Sequence, residues 1–554
     1  MGNTTSQVEQ EATSTPQPQG GGIKLFKYMK GSGQGGWEVV SSAADLDLYD
    51  ENEDATSKGP CWHLTVEGGQ DTISAEVDEQ FSFEPKENRV TFVSGEDVWA
   101  LRFPNSKAFD AFLQKFNAAL FENTFGEDRS KADKIMGDGP MRFDGLETDE
   151  SRQHWVEDMD VEDKPNAKEL RTPLRDKVVG KRQSIHGVVM GAGDRSYVVR
   201  DNEIDVMRNV MGGVEDTGFS FQVTPAKKSS LKSFTPSKAL LMGHETKMNM
   251  ISPLASTSLF HTDIETGKVI SEWNFQKDGA DIPIKDIVSD NKAAQLEERS
   301  TFLGLDSNRL ARWDLRDPHG VVQEMASPIV SYVGGKDYAR GTKFNCMATS
   351  GDGFVVVGSD DGKVRLYSEK TLTQAKTAIP GLGLPITNVD VSYDGKWVLA
   401  TTKSYLMVVK TTYRDPKTGK ELCGFTNRMG PNAPAPRLLR LKPQDTALTA
   451  NAPLEKGHFT WITEKGRQER WIVASCGNYT VLWNFRQVKL AQPEVVSYGA
   501  LTTVTNYHLI PKSEHVVDSV FMHDNYARTP TGAEETSMLV VTKNAIYTVA
   551  DEDE

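Results

Sequence analysis

Short apolar runs alternate with polar turns throughout the second half of the chain, from about residue 170 to residue 550. Six of these runs can be aligned with one another: "VISEWNF", "RLARWDL", "KVRLYSE", "YLMVVKT", "TVLWNF" and "AIYTVAD". Four turns of the same region, "DIETGK", "LDSNR", "SDDGK" and "SCGNY", are built mainly from polar and small residues. Short strands separated by such turns predict an all-β domain of repeated units.

Most of the aligned runs carry an aromatic residue near their end, and we expect each run to form the third strand of a β-propeller blade. The aromatic positions are Trp273, Trp313, Tyr367 and Trp483, with Tyr547 a weaker match. Trp313 follows Trp273 by 40 residues, which is close to the ~40–45 residues of a WD40 blade. Asp314 completes a Trp-Asp pair with Trp313. We expect the Trp to pack between sheets and the Asp to accept turn hydrogen bonds, so both roles are structural.

The pattern leaves the number of blades open at six or seven. Six units can be counted, and residues 184–223 supply a seventh if "SYVVRDNEIDVMRN" forms strands. Each blade is a small sheet that cannot cover its own faces, whereas packing in a ring buries both faces. We therefore predict a WD40-like β-propeller over residues 169–550.

Residues 22–121 predict a separate domain of strands followed by one helix. Strand patterns such as "IKLFKYMK", "CWHLTVE" and "NRVTFVSG" precede "NSKAFDAFLQKFNAALF", which changes to a helical period. One face of this helix carries five apolar residues: Phe109, Phe112, Leu113, Phe116 and Leu120. Asn105 or Ser106 can cap its start. This order is typical of a pleckstrin-homology-like barrel, and "WALRFPNSKAFDAFLQKF" resembles the end of its Ran-binding and EVH1 branch.

Two segments predict little packed structure. Residues 1–21 lack aromatic residues, Lys and Arg, so we expect a disordered N-terminus. Residues 122–168 include nine acidic residues and one basic residue between Asp144 and Asp163. Because like charges repel and apolar residues are few, we expect an acidic linker.

Composition narrows the class of protein. The 554 residues carry a net charge of -15, whereas nucleic-acid binding needs a basic face, so we expect no nucleic-acid partner. The four cysteines contain no Cys-x-x-Cys spacing, and we expect ordinary thiols in a reducing compartment, with no metal and no cofactor. With no apolar run of ~20 residues and no secretory signal pattern, we expect the protein in the cytoplasm, with the nucleus as a second location.

The first residues, "MGNTTS", match the myristoylation pattern, in which Gly2 is acylated after removal of Met1. One myristoyl chain supports only marginal, reversible membrane binding, of about 10⁴ M⁻¹. Lys24, Lys27 and Lys30 offer a weak second signal. We therefore expect transient peripheral membrane contact at most.

The segment "GSGQGG", residues 31–36, matches G-x-G-x-x-G but is followed by the strand pattern "WEVVSS". A dinucleotide site needs a helix there to hold the pyrophosphate, so we interpret the segment as a hairpin loop. Lys30 suits a phosphoinositide site of pleckstrin-homology domains, but residues 37–49 contain no basic residue. We therefore do not expect specific phosphoinositide binding.

Comparison with EVH1 domains predicts a different use of the N-terminal domain. Tyr28, Trp37 and Phe92 fall near the strand positions that form an exposed aromatic cluster there. Such rings would stack on a proline-rich peptide in a polyproline helix. The alternative is that these three rings belong to the domain core.

Several long stretches resemble the vacuolar import and degradation protein 27 (Vid27) family, whose plant members are called CYPRO4-like. They are "STFLGLDSNRLARWDLRD", "GDGFVVVGSDDGKVRLYS", "QAKTAIPGLGLPITNVDVSYDGKWVLATT", "GHFTWITEKGRQER" and "DSVFMHDNY". The resemblance is dense over about 235–550 and implies a pleckstrin-homology-like domain followed by a WD40-like propeller. It implies no enzymatic activity and provides no catalytic or ligand residues. The family name suggests cargo delivery to a vacuole.

No catalytic motif is evident, since the sequence contains no His-Glu-x-x-His, no Gly-x-Ser-x-Gly and no Walker loop. We predict a noncatalytic scaffold that binds other proteins through propeller loops. One alternative is a lipid-sensing peripheral membrane protein acting through the N-terminal domain. The other is a propeller enzyme, which would need three or more His or carboxylate groups converging at the channel mouth.

Overall fold

The computed structural model describes residues 22–29, 36–52, 59–68, 72–78, 80–126, 155, 174–223, 233–316, 329–337, 342–463, 469–491, 496–497, 501–526 and 537–551. The predicted N-terminal tail and most of the predicted linker lie outside these residues. In the described part, no helix is both long and apolar enough to cross a membrane.

The N-terminal domain is one curved antiparallel sheet of seven strands. The strands are β1 (Ile23–Met29), β2 (Gly36–Asp50), β3 (Trp62–Glu67), β4 (Thr72–Glu76), β5 (Ser82–Glu84), β6 (Arg89–Ser94) and β7 (Asp97–Arg102). Their order across the sheet is β4-β3-β2-β1-β7-β6-β5. The sheet curls into a half-barrel, and the Ser94 hydroxyl on β6 donates to the Ser74 carbonyl on β4 over 2.7 Å.

Helix α1 (Ser106–Phe125) closes one end of this half-barrel. It begins where the Asn105 side chain accepts a hydrogen bond from the Ala108 N–H at 2.9 Å, and it ends at Gly126 in the left-handed region. The face of α1 defined by Phe109, Phe112 and Phe116 packs into an aromatic core of the sheet. The predicted order of strands and then a helix is therefore present. Membership of the pleckstrin-homology-like superfold stays a prediction.

The second domain is a seven-bladed β-propeller, which the chain enters through β8 (Leu174–Lys181). Blade 1 is β9 (Ile185–Val189), β10 (Arg195–Arg200), β11 (Glu203–Val210) and β12 (Gly213–Gln222). Blade 2 is β13 (Lys238–Met242), β14 (Lys247–Ser252), β15 (Ala255–Asp263) and β16 (Lys268–Lys277), with the short β17 (Ala280–Asp281) beside β16. Blade 3 is β18 (Asp286–Ser289), β19 (Thr301–Asp306), β20 (Arg309–Asp314) and β21 (Ile329–Asp337).

The remaining blades follow in chain order. Blade 4 is β22 (Phe344–Thr349), β23 (Val355–Ser359), β24 (Val364–Tyr367) and β25 (Thr377–Ile379). Blade 5 is β26 (Asn388–Val391), β27 (Trp397–Thr401) and β28 (Leu406–Lys410), then the hairpin β29 (Thr412–Arg414) and β30 (Glu421–Cys423), and finally β31 (Arg437–Leu439). Helix α2 (Pro443–Leu448) leads to blade 6, which is β32 (Leu454–Phe459), β33 (Trp471–Cys476), β34 (Tyr479–Asn484) and β37 (His508–Pro511). Between β34 and β37 lie helix α3 (Phe485–Leu490), β35 (Val496–Ser497) and β36 (Leu501–Val504).

Blade 7 closes the ring with strands from both ends of the domain. It consists of β38 (Val516–Phe521), β39 (Met538–Thr542), β40 (Ala545–Asp551) and, at its outer edge, β8. The first strands of the seven blades contact one another in sequence, and β38 of blade 7 contacts β9 of blade 1. The ring is therefore closed. The open choice between six and seven blades is settled at seven, with residues 184–223 supplying the additional blade.

Four of the five aligned aromatic residues occupy third strands, including the partly buried Tyr547 on β40, but Trp273 does not. Trp313, Tyr367 and Trp483 lie on β20, β24 and β34 and are fully buried. Trp273 lies one strand further out, on β16, where it is only partly buried and donates to the Ser271 hydroxyl over 2.6 Å. Its placement on a third strand was wrong because "VISEWNF" has the same local pattern as a third strand. The spacing of 40 residues to Trp313 is thus not a blade period.

The Trp-Asp pair of blade 3 has a structural environment. The Trp313 ring meets Phe275 edge to face, with centroids 5.1 Å apart. Gly304 allows this position, because a Cβ there would stand 2.7 Å from the indole nitrogen of Trp313. Asp314 accepts hydrogen bonds from the Arg316 backbone N–H at 2.9 Å and from its guanidinium at 2.8 Å. Burial alone would raise the pKa of Asp314, but these bonds outweigh burial and lower it.

The two domains contact each other along one side of blades 5 and 6. Helix α2 lies against β6 and β7, and β35 lies against β5. The Arg440 guanidinium donates to the Phe81 carbonyl of the N-terminal domain over 3.4 Å. The sheet and the ring therefore form a continuous packed body at this edge.

Candidate functional site

A cavity of about 720 Å³ occupies the centre of the propeller. Its walls come from the first strands of five blades: β9, β13, β26, β32 and β38. Lys292, in the connection after β18, and Trp461, after β32, also line the cavity. First strands supply the walls because each is the innermost strand of its sheet, with no further strand inside it.

Three lysines that line this channel form ion pairs with carboxylates of other blades. Lys238 and Asp286 join blades 2 and 3 at 3.1 Å, and Lys456 and Asp518 join blades 6 and 7 at 3.1 Å. Lys292 reaches from blade 3 to Asp390 of blade 5 at 2.9 Å. Each lysine is therefore neutralised by a carboxylate of a different blade, which links the blades electrostatically.

Two of these carboxylates also accept hydrogen bonds from backbone groups of the next blade. Asp286 accepts from the Met347 N–H at 3.1 Å, and Asp390 accepts from the Phe459 N–H at 2.8 Å. An innermost strand has one edge of peptide groups without a partner strand, and such groups need hydrogen bonds when they are buried. Polar side chains on the inner strands thus accept hydrogen bonds from backbone N–H groups that have no partner strand. These bonds hold neighbouring blades in position.

Neighbouring charges and burial shift the pKa values of several side chains in the channel. The carboxylate of Asp286 raises the pKa of Lys238, although burial opposes this. Burial by itself would raise the pKa of Asp390, but Lys292 and His458 outweigh it and the pKa is lowered. Enclosure lowers the pKa of His458, and the carboxylates of Asp518 and Asp390 offset this only in part. These shifts favour the charged forms of Lys238 and Asp390 and the neutral form of His458 at neutral pH.

Across the described ranges, a convergence of three His, Cys or carboxylate ligand groups occurs in the N-terminal domain, not in the channel. His523 lies two residues after the end of β38, where its ring contacts the Thr463 hydroxyl at 2.7 Å.

Two of the three aromatic residues predicted for peptide binding lie together. Tyr28 on β1 and Trp37 on β2 are register partners, and their rings meet edge to face with centroids 5.2 Å apart. Both are partly exposed. Phe92 is fully buried and stacks on Phe81 inside the domain, at 5.0 Å and an interplanar angle of 9°. Phe92 therefore belongs to the core and not to a surface cluster, because its β6 position points into the half-barrel.

Trp155 is a residue whose place the sequence did not reveal. It lies in the predicted acidic linker, yet its side chain is 0% exposed and belongs to the core between blades 5 and 6. The Trp397 ring lies 4.9 Å away, and the Arg437 guanidinium stands over the indole at 4.1 Å. A lone large aromatic residue in an acidic stretch was the available signal.

Some predictions fall outside the described residues. Gly2, Lys30 and most of the glycine loop are among them. Acylation of Gly2, transient membrane contact and a location in the cytoplasm or nucleus stay predictions.

The strand pairings define a seven-bladed WD40-like propeller joined to an N-terminal β domain. Comparison with protein families matches residues 185–507 to the VID27 C-terminal WD40-like domain and residues 23–137 to a domain of unknown function (DUF7135). The first match covers more than half of the chain, and the chain belongs to the VID27 family.

Two curated relatives are both named vacuolar import and degradation protein 27. The one from Schizosaccharomyces pombe is 33% identical over 313 residues, which is 55% of this chain and 37% of the relative. The one from Saccharomyces cerevisiae is 28% identical over 300 residues, which is 53% of this chain and 36% of the relative. The match thus spans little more than a third of each relative.

Among solved structures, a similar one is the β-propeller domain of Cps50 (Swd1) from Myceliophteria thermophila. It is 10% identical, with a TM-score of 0.43, over 68% of this chain and 100% of that domain.

Proposed function

We propose that this protein is a noncatalytic scaffold for protein–protein interactions in vacuolar import and degradation. The process is suggested by the name of the two relatives, and the scaffold role by the propeller, a rigid ring that carries variable loops.

The cross-blade pairing of the channel charges is the observation that supports this role most directly. Catalytic acids and bases need a pKa near the working pH and a free face toward a substrate. Here Lys238, Lys292 and Lys456 each bind a carboxylate of another blade. Groups that hold the ring together are poorly suited to proton transfer, so the outer surfaces are left to do the binding.

The test compares the intact chain with a double channel variant, His186→Gln/His458→Gln. Both histidines line the channel, and glutamine keeps a polar side chain while removing the acid–base group. Cells that lack the chain are complemented with either form, fused to a proximity-labelling enzyme. The labelled proteins and the delivery of reporter cargo to the vacuole are then measured.

A scaffold predicts the same labelled proteins and the same delivery with both forms. Normal labelling with delivery lost in the variant would indicate chemistry in the channel and overturn the noncatalytic assignment. Normal delivery of every cargo in cells without the chain would overturn the assignment to this process.

The N-terminal domain has its own candidate role, which is to bind proline-rich peptides at Tyr28 and Trp37. Their edge-to-face rings, with the exposed Val39 two residues from Trp37 on the same side of β2, form a small apolar surface at one end of the β1–β2 pair. Flat rings of this kind suit a polyproline helix, which loses little entropy on binding.

Fluorescence polarisation of labelled proline-rich peptides with the full chain tests this role. Trp37→Ala should weaken binding about 30-fold, the equivalent of a central aromatic contact of about 2 kcal/mol. Tyr49→Ala is the matched control, since Tyr49 is an exposed ring at the other end of β2. Equal affinities of the two variants would exclude the Tyr28–Trp37 surface as the peptide site.

A further inference from the structure

Three side chains of different chemistry converge where β2 ends and β3 begins. They are Glu51, which directly follows β2, Cys61, which directly precedes β3, and His63, the second residue of β3. One ligand atom from each lies within 4.8 Å of the other two. This cluster lies apart from the propeller channel and from the Tyr28–Trp37 surface.

The strand geometry explains why Cys61 and His63 face the same way. Alternate residues of an extended strand point to the same side, so a Cys-x-His spacing places both side chains together. Trp62 points to the opposite side, where its indole N–H donates to Glu122 of α1 at 2.8 Å. The Trp62 backbone N–H donates to the Asn123 side chain at 2.6 Å. The helix therefore fixes the strand between the two ligands.

The backbone at Glu51, the third ligand, is also fixed by hydrogen bonds. The Glu51 N–H donates to the Cys61 carbonyl over 2.9 Å. Asp50 accepts from the Cys61 N–H at 2.7 Å and from the Asn52 N–H at 2.9 Å. Because the backbones on both sides are already in place, binding an ion would order only side-chain rotamers.

Two of the three separations between the ligand atoms match the edges of a metal tetrahedron, and the third is within 4.8 Å. The Cys61 Sγ lies 3.5 Å from the His63 Nε2, and the same nitrogen lies 3.5 Å from the Glu51 Oε2. Zinc bonds of about 2.3 Å to sulfur and about 2.0–2.2 Å to nitrogen or oxygen give tetrahedral edges of about 3.4–3.6 Å. We propose that Glu51, Cys61 and His63 form a Zn²⁺ site with one open coordination position.

The donor set selects among metals. One thiolate, one imidazole and one carboxylate suit zinc, whereas Ca²⁺ and Mg²⁺ prefer oxygen ligands only. The Tyr49 ring stacks on the His63 imidazole at 5.8 Å and 25°, which restricts the orientation of that ring. The His63 side chain is 20% exposed and that of Glu51 is 65% exposed, so an ion can enter from solvent. The bound ion would clamp the end of β2 to the start of β3.

The other cysteines offer a matched comparison. Burial raises the pKa of the Cys346 thiol and raises that of Cys476 to about 11, so neither is suited to metal binding. Cys423 is partly buried like Cys61 but lies outside the cluster, which makes Cys423→Ser the control for Cys61→Ser.

The experiment is a titration of the chelator-treated full chain with Co²⁺, followed by displacement with Zn²⁺. We expect about one equivalent of Co²⁺ to produce a thiolate-to-cobalt charge-transfer band, which Zn²⁺ then abolishes. Cys61→Ser should remove the band, and Cys423→Ser should keep it. Glu51→Gln, at an exposed position that should not affect folding, should weaken Zn²⁺ binding at least tenfold, whereas Glu67→Gln at the far end of β3 should not.

Absence of the band in the wild-type chain would overturn the proposal. A band that persists in Cys61→Ser, or equal Zn²⁺ affinity in Glu51→Gln and the wild type, would overturn it as well. If Cys61→Ser fails to fold, the comparison of Glu51→Gln with Glu67→Gln decides alone.

Discussion

Trp155 is buried between blades 5 and 6, and the Trp155→Ala variant tests how much this burial stabilises the propeller. The indole is 0% exposed, and it packs against Trp397 and under the guanidinium of Arg437. It is also the described residue that links the segment between the two domains to the propeller. Removing the ring should therefore destabilise the propeller at this junction.

The expected magnitude follows from the buried area. A buried aromatic side chain removes ~150–250 Å² from water, worth about 4–6 kcal/mol at ~25 cal/mol per Å². The cation–π contact with Arg437 adds about 2 kcal/mol when it is desolvated. Ordering the backbone and side chain of a linker residue costs about 2–3 kcal/mol of conformational entropy. The variant avoids this cost, so the term is subtracted from the loss. Together these terms lower the free energy of unfolding by about 3–6 kcal/mol, which overlaps the ~3–5 kcal/mol usual for Trp→Ala in a core.

Urea unfolding of the full chain, followed by circular dichroism, measures this loss. Amide hydrogen exchange should also become faster in α3, because Arg437 donates to the carbonyls of Val488 and Lys489 and would lose the ring that holds it. Trp273→Ala is the control, since Trp273 is only partly buried on an outermost strand. It should cost about 1 kcal/mol.

An effect of Trp155→Ala within about 0.5 kcal/mol of zero, as for a surface substitution, would refute the reasoning. So would equal losses for Trp155→Ala and Trp273→Ala, since burial would then not distinguish the two positions.

Three further outcomes are expected. Burial raises the pKa of Glu469 to about 7 from 4.5, so its contribution to stability is complete below pH 4.5 and is lost as pH rises through 7. Glu469→Gln should therefore remove about 3 kcal/mol of the change in the free energy of unfolding between pH 4.5 and pH 7, measured with urea. The same pH dependence in the variant and the wild type would contradict this. Gly304→Ala should reduce stability by about 1–3 kcal/mol, because the methyl group collides with Trp313; Gly59→Ala, with open space around it, should have no such effect, and equal losses in calorimetry would exclude the collision. Replacing residues 174–181 with a Gly-Ser segment of equal length removes the outer strand of blade 7 and should lower the Tm of the propeller, whereas an unchanged Tm would mean that the ring does not depend on that strand.

Local patterns were sufficient for most of the architecture. The helix of the N-terminal domain was predicted from the spacing of Phe109, Phe112 and Phe116, and its start from Asn105, since helical periodicity and capping depend on residues a few positions apart. Third strands of several blades were recognised for the same reason, because alternation and turn residues are local. The misplacement of Trp273 marks the limit: neighbouring strands of one blade share the same pattern, so their order within the sheet cannot be obtained from it.

The sequence by itself determined the repeated strands, the helix that ends the N-terminal domain and the propeller class. These features follow from periodicities within about twenty residues. Only the tertiary structure decided which distant residues meet. Pairing of β8 with β40 joins positions from opposite ends of the propeller, and the ion pair of Lys292 with Asp390 spans two blades. The burial of Trp155 depends on a cleft that exists only when blades 5 and 6 are packed together. Contacts of this kind depend on the relative positions of whole sheets, and no local pattern encodes those positions.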